Sequence, residues 1–283
     1  MLRAAAARVL DAEDETAVRE LLGTDPVAAC MLAGRIETHG TAPASLGAPL
    51  WGLSAGRRLD AVCLAGGNLI PFARPGVEAQ AAAAFAERAR RAGRRCSTIV
   101  GPAASVLPLW ELLAPSWGPA REVRARQPLL AIEGPPTVLP DPRVRPVRSA
   151  ELDVLLPAAV AMFTEEVGVS PVRIDGGAAY RARVAELVRA GQSLAWIEDG
   201  QVLFKADVGA VSRAACQVQG VWVAPQFRGQ GIGQRGTAAV VEYARTTIAP
   251  IVSLYVNDYN TAARSAYQRV GFAEVGTYAS ILF

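Results

Sequence analysis

Apolar positions in the second half of the chain recur at two different periods, and each change of period marks an element. Residues 144–147 read as a short strand and 151–166 as a helix with apolar positions at helical spacing. Residues 180–190 predict a second helix, ended by Gly191. Strand-like runs follow at 193–198, 202–208 and 216–223, the first two joined by an Asp199-Gly200 turn. Residues 233–247 read as a helix, 251–256 as a β-branched strand, 260–270 as a helix stopped by Gly271, and 273–283 as a closing strand bent at Gly276. Strands first, then alternating strand and helix, predict a mixed sheet with helices on its faces. The first half gives a fainter version of this order. Helices are expected at 9–22 and 26–36, and strands at 50–53 and 59–65 across an Ala55-Gly56-Arg57 turn. A helix at 79–92, a strand at 97–100, a short helix at 106–113 and a strand at 127–132 complete it. Two copies of one fold are the expectation.

The clearest seam is 134–142, where Pro135, Pro136, Pro140 and Pro142 remove amide donors and stiffen the backbone. It divides the 283 residues into two parts of ordinary domain size, 1–138 and 139–283. Composition then narrows the class. At 51% apolar and 19% charged residues the chain is not disordered. A net charge of +3, from 29 cations and 26 anions, gives no broad basic field, so no nucleic-acid partner is expected. Cys30, Cys63, Cys96 and Cys216 form no C-x-x-C pair, and the single histidine, His39, supplies no metal partner. Thiols kept reduced fit the cytoplasm. The opening Met1-Leu2-Arg3 runs into Arg8, Asp11 and Glu13 without an apolar leader, and the longest uncharged stretch, 38–56, is broken by prolines and glycines. No membrane association is expected.

Two segments carry candidate chemistry. In Arg228-Gly229-Gln230-Gly231-Ile232-Gly233 glycines precede a predicted helix. Glycine lets the backbone approach a ligand, and open N–H groups at the positive end of a helix suit phosphate. Arg228 can add a charge-assisted contact. The bland alternative is a glycine-rich surface turn. A dinucleotide fold is a sharper rival, since Gly231, Gly233 and Gly236 match G-x-G-x-x-G with Asp258 downstream. Seven residues between Val223 and Gly231 are too many for that fold's tight turn, and 25 residues after Asp258 too few to complete its sheet. The second segment is the helix from Asn260, a good N-cap, to Gly271, a good left-handed terminator. Asn260, Ala263 and Tyr267 share one of its faces.

Together the segments resemble the GNAT superfamily of acyl-CoA-dependent N-acyltransferases. Its pyrophosphate loop, [QR]-x-x-G-x-[GA], is matched by Arg228, Gly231 and Gly233. Its later signature, N-x-x-A-x-x-x-Y-x-x-x-G-F, is matched by Asn260, Ala263, Tyr267, Gly271 and Phe272, with the strand at 251–256 between the two. The resemblance covers 143–283. It implies an α+β fold with a mixed, mostly antiparallel central sheet flanked by helices, and the first half then reads as a degenerate tandem copy. It also implies acetyl-CoA as cosubstrate and an amine acceptor, a small molecule or a protein amino group, with no metal. Backbone amides of Gln230, Gly231, Ile232, Gly233 and Gln234 would hold the pyrophosphate, with Gly229 and Arg228 in the same cofactor-binding loop, and edge groups of Val221 and Val223 would hold the pantetheine arm. Asn260 would bond that arm near the sulfur, and Tyr267 would be the general acid.

The base stays open. The strand before the loop reads Gln217-Val218-Gln219, where many relatives carry a glutamate. Glu165 and Glu166 are the best carboxylates, with a solvated helix end as their bland reading; the Phe283 carboxylate and a water chain past Gln219 are other routes. The first half lacks both motifs, so the coenzyme is expected in the second alone, with packing, dimer contact or acceptor binding left to the first. Monomer and homodimer both fit. A non-catalytic acyl-CoA sensor is the competing function.

Overall fold

The computed structural model describes residues 6–56, 58–173 and 175–283. Arg57 of the expected hairpin turn and residues 1–3 at the start lie outside them. The described residues form two compact units that are discontinuous in sequence. The first is Met1–Leu129 with Tyr255–Tyr259 and Glu274–Phe283; the second is Leu130–Leu254 with Asn260–Ala273.

The first unit opens with β1 (Arg8–Val9), α1 (Glu15–Leu22), α2 (Cys30–His39) and the short α3 (Pro43–Leu46). Then come β2 (Leu50–Ala55), β3 (Arg58–Ala65), β4 (Asn68–Ala73), α4 (Glu78–Ala92), β5 (Thr98–Pro102), α5 (Ala103–Trp117) and β6 (Glu122–Ile132). The helix expected at 9–22 begins only at Glu15. Asp11 accepts from the Glu13 N–H, and Asp14 accepts from the Asp11 N–H, a capping box on the 3₁₀ turn Ala12–Asp14 that precedes α1, and Arg8–Val9 pair with β2. Strand β4 is absent from the sequence expectation, and it contains Pro71. The structure tolerates Pro71 because β4 pairs in parallel with β5 only at Asn68↔Thr98 and Leu69↔Ile99, so past them no ladder bond to β5 is lost.

The second unit contains β7 (Arg145–Pro146), α6 (Leu152–Val167), α7 (Ala178–Arg189), β8 (Ser193–Glu198), β9 (Gln201–Val211) and β10 (Ala215–Val223). It continues with α8 (Ile232–Thr247), β11 (Ile251–Tyr255) and α9 (Thr261–Val270). The last strand, β12 (Ala273–Leu282), was expected to close this part. It instead pairs antiparallel with β5, from Tyr278↔Pro102 to Leu282↔Thr98, inside the first unit. The proline-rich segment 134–142 has no regular element and belongs to the second unit, where the Thr137 N–H donates to the Val270 carbonyl at 2.9 Å.

Both units repeat one order. In the first, β2, β3 and β4 are antiparallel, α4 follows, and β5 returns parallel to β4. In the second, β8, β9 and β10 are antiparallel, α8 follows, and β11 returns parallel to β10. The architecture is α+β, with a mostly antiparallel sheet and helices on its faces.

Successive residues of β9 point to opposite faces, so Phe204 faces α8 while Lys205 faces the α6 side. A Cβ on Gly236 would lie 2.7 Å from the Phe204 ring, so α8 approaches the sheet this closely only with glycine there. Gly236→Ala is therefore expected to lower stability by about 1–3 kcal/mol through overpacking. Denaturant unfolding measures it, and an unchanged midpoint would refute the close approach.

Candidate functional site

Strands β10 and β11 are paired from Ala215↔Ile251 to Gln217↔Ser253, and no pair follows although β10 continues to Val223. Parallel strands that part in this way leave unpaired backbone groups along β10. The β9 side of β10 is also irregular. Register moves from Gln219↔Asp207 to Trp222↔Lys205, so Gly220 and Val221 stand opposite Ala206 alone. This is a β-bulge, with Gly220 at φ +57°, a left-handed conformation that suits glycine.

From Val223 the chain enters a short 3₁₀ turn, Pro225–Phe227, and then the glycine loop. Gly229 and Gly231 both have φ +76°. Gly231 is the N-cap of α8 and has no side chain to cap it. The first bond into the helix is Arg235 N–H to the Gly231 carbonyl at 3.2 Å, which leaves the N–H groups of Ile232, Gly233 and Gln234 without helical acceptors. These three amides lie at the positive end of the helix dipole. The Gln234 Oε1 beside them is buried without a partner among the described residues.

Arg228 departs from the expectation. Its guanidinium donates to the Val223 carbonyl at 3.0 Å and to Glu165 at 2.7 Å, so it ties the loop to α6 rather than pointing free for a phosphate. Glu165 also accepts from the Trp222 indole N–H at 3.0 Å.

Helix α9 is bounded as expected. Asn260 accepts from the Ala263 N–H at 3.1 Å through its side-chain oxygen, which leaves the amide NH₂ to other partners. Gly271 ends the helix at φ +109°, with Phe272 N–H bonded back to the Tyr267 carbonyl at 3.1 Å. Tyr267 is 8% exposed, its ring edge-on to Phe272 with centroids 6.0 Å apart. Its hydroxyl has no hydrogen bond among the described residues. Burial first, and then the negative charge of Glu166, push the phenol well above the usual tyrosine range. Burial, then the charges of Asp207 and Glu166, likewise raise Tyr180, whose hydroxyl donates to the Ala159 carbonyl at 2.9 Å. The second unit therefore holds the glycine loop, Asn260, Tyr267, Glu165 and Glu166 together.

Phe283 is elsewhere. Its ring packs against Trp110 and Trp117 in the first unit, with the Arg94 guanidinium 4.7 Å from its centroid. Gln219 donates to Gln217 Oε1 at 3.4 Å. In the first unit the Glu78 carboxylate, at the start of α4, accepts from the Gly76 N–H at 2.7 Å just before the helix.

Sequence reasoning missed one cluster. Lys205 on β9 is fully buried and bonded to Asp207, which also accepts from Ser193. The available signal was Lys205 and Asp207, two residues apart in a strand run whose other members are apolar. Among the described residues no His, Cys, Asp or Glu cluster is placed to hold a metal, and no helix is long and apolar enough to cross a membrane.

Comparison with known proteins gives two family matches. Residues 177–272 match the model described as the acetyltransferase (GNAT) family. Residues 48–155 match a domain of unknown function (DUF4081). An uncharacterized N-acetyltransferase of Methanocaldococcus jannaschii is 37% identical over 62 residues, which are 22% of this chain and 27% of that protein. The chain thus spans about a quarter of the length of the curated relative it matches. A GNAT-family acetyltransferase structure from Colwellia psychrerythraea aligns over 98% of this chain and 99% of its own, with 14% identity and a TM-score of 0.54. A GCN5-related N-acetyltransferase structure from Sphaerobacter thermophilus aligns over 99% and 95%, with 16% identity and a TM-score of 0.58. At these identities the structures show a shared fold.

Proposed function

We propose that the protein, whose residues 177–272 match the acetyltransferase (GNAT) family, transfers an acetyl group from acetyl-CoA to a primary amine. The observation that carries this reading is the parting of β10 from β11 beyond Gln217↔Ser253, with a loop of open amides following β10 in the chain. Acetyl-CoA supplies an acyl group activated as a thioester. The N–H groups of Ile232, Gly233 and Gln234 bind its diphosphate, helped by the helix dipole. Gly229, Gln230 and Gly231 give the loop its close approach, and the unpaired edge at Val221 and Val223 takes the pantetheine amides. The free NH₂ of Asn260 orients the arm near the sulfur. Arg228 supports the loop from beneath through Glu165.

Tyr267 donates a proton to the departing sulfur. Its raised proton affinity keeps it protonated at neutral pH, the state an acid needs. Glu165 and Glu166 both remain candidate bases, with Glu165 also bonded to Arg228 and Trp222. The amine attacks directly. Amine acceptors of both kinds, metabolite and protein, fit this chemistry.

The burial of Tyr267 against Phe272 favours a second reading, a non-catalytic acyl-CoA sensor in which the phenol is core. Release of free thiol from acetyl-CoA across a panel of primary amines separates the two. Turnover with any amine excludes the sensor. Tight acetyl-CoA binding with no turnover excludes the enzyme.

A further inference from the structure

Lys205 is the only lysine in the chain, and none of it is exposed. Its ammonium donates to Asp207 Oδ2 at 2.6 Å and to the Gly220 carbonyl at 3.1 Å. Ser193 braces the pair from the far side, its hydroxyl donating to Asp207 Oδ1 at 2.7 Å. A buried ion pair of this kind adds little stability over two apolar side chains of similar volume, because desolvation offsets most of the attraction. Folding alone does not explain it. Among the described residues, the one hydrogen bond its ammonium makes outside the pair is to the carbonyl of the bulge residue, Gly220, in the strand that parts from β11.

A trans peptide is planar, and its C=O and N–H point in opposite directions. The carbonyl of Gly220 and the N–H of Val221 belong to one such plane. Holding that carbonyl on Lys205 therefore turns the Val221 N–H away from Lys205. Neither Gly220 nor Val221 has a register partner on β9 to fix the plane otherwise. A cation on the carbonyl also polarises the peptide and strengthens its N–H as a donor.

We propose that Lys205, braced by Asp207 and Ser193, is a positioning residue that locks the Gly220–Val221 peptide so that the Val221 N–H is a fixed donor toward the acyl end of the coenzyme. The proposal rests on the acyl-transfer reading, and its test has a readout independent of turnover. In the full chain, the double variant K205M/D207L removes both charges and keeps apolar volume. It should unfold within a few degrees of the native protein. Its Val221 amide should become mobile, the NMR order parameter falling from about 0.85 to below about 0.6. Thiol release with the best amine should fall about 30-fold, with acetyl-CoA affinity within about threefold, the cost of one misplaced donor. A rigid Val221 amide in the double variant overturns the proposal whatever the activity, as does a mobile amide with native kcat. If the native protein releases no thiol with any amine, the acyl-transfer reading falls, and amide mobility alone still decides what Lys205 holds. Ser193→Ala, which removes only the brace, should show the same changes in milder form and serves if the double variant fails to fold.

Discussion

Tyr267→Phe is expected to lower kcat about 100-fold while leaving the Kd for acetyl-CoA within about twofold, the range of a lost general acid. The argument begins with burial. Desolvation holds the phenol well above its usual range, and Glu166 adds to the effect. A weaker acid is a poorer proton donor, but the leaving thiolate enters the same dry surroundings, where its own proton affinity also rises above the ordinary thiol value of about 8.5. The two shifts have the same sign, so the match between donor and acceptor survives burial. Because the raised group stays protonated until pH exceeds its folded value, kcat should show no alkaline decline from Tyr267 below about pH 10. The variant is a clean one. The hydroxyl has no hydrogen bond to lose among the described residues, and phenylalanine keeps the edge-on contact with Phe272. Steady-state kinetics with calorimetric binding measures both quantities. A native kcat in the variant would return Tyr267 to the core.

Gly231→Val should weaken acetyl-CoA binding about 100-fold or more and leave the fold standing. Gly231 sits at φ +76°, where a β-branched residue is a steric outlier. A Cβ there would also lie 3.2 Å from the Arg235 guanidinium and from the Gln234 amide nitrogen. The loop must rebuild, and the three amides that follow lose their common direction. About 100-fold corresponds to about 2.7 kcal/mol, the scale of one or two charge-assisted bonds lost. The change falls at an exposed loop before α8, so thermal unfolding should move much less than for Gly236→Ala in the helix–sheet contact. Isothermal titration of both variants tests the contrast. Undiminished affinity in Gly231→Val would show that the loop does not hold the diphosphate.

Local chemistry was legible in the sequence where it is complete within a few residues. Asn260 and Gly271 fix both ends of α9, and Gly231 starts α8 within one residue of the expected position. Pairing decided by distant residues was not legible. Nothing in Ala273–Leu282 says that its partner is β5, because an alternating strand satisfies either sheet equally. Strand β4 contains Pro71, and the cost of proline depends on whether a neighbour needs its N–H; that neighbour is β5. Arg228 was assigned to phosphate on its position in a motif, whereas its partner, Glu165, lies on α6, 63 residues away. Lys205 and Asp207 went unread in the sequence, because their meaning depends on the bulge opposite. The candidate site is thus a local loop and a local helix, both readable, set against a sheet whose irregularities are not.

The central claim concerns three backbone nitrogens, and ¹⁵N-resolved amide spectra observe them directly. Titration with coenzyme A should shift the amides of Ile232, Gly233 and Gln234 by more than those of the start of α4, while pantetheine, which lacks the diphosphate, should leave them in place. If coenzyme A binds and these three amides do not respond, or if pantetheine moves them equally, the diphosphate is held elsewhere and the account fails.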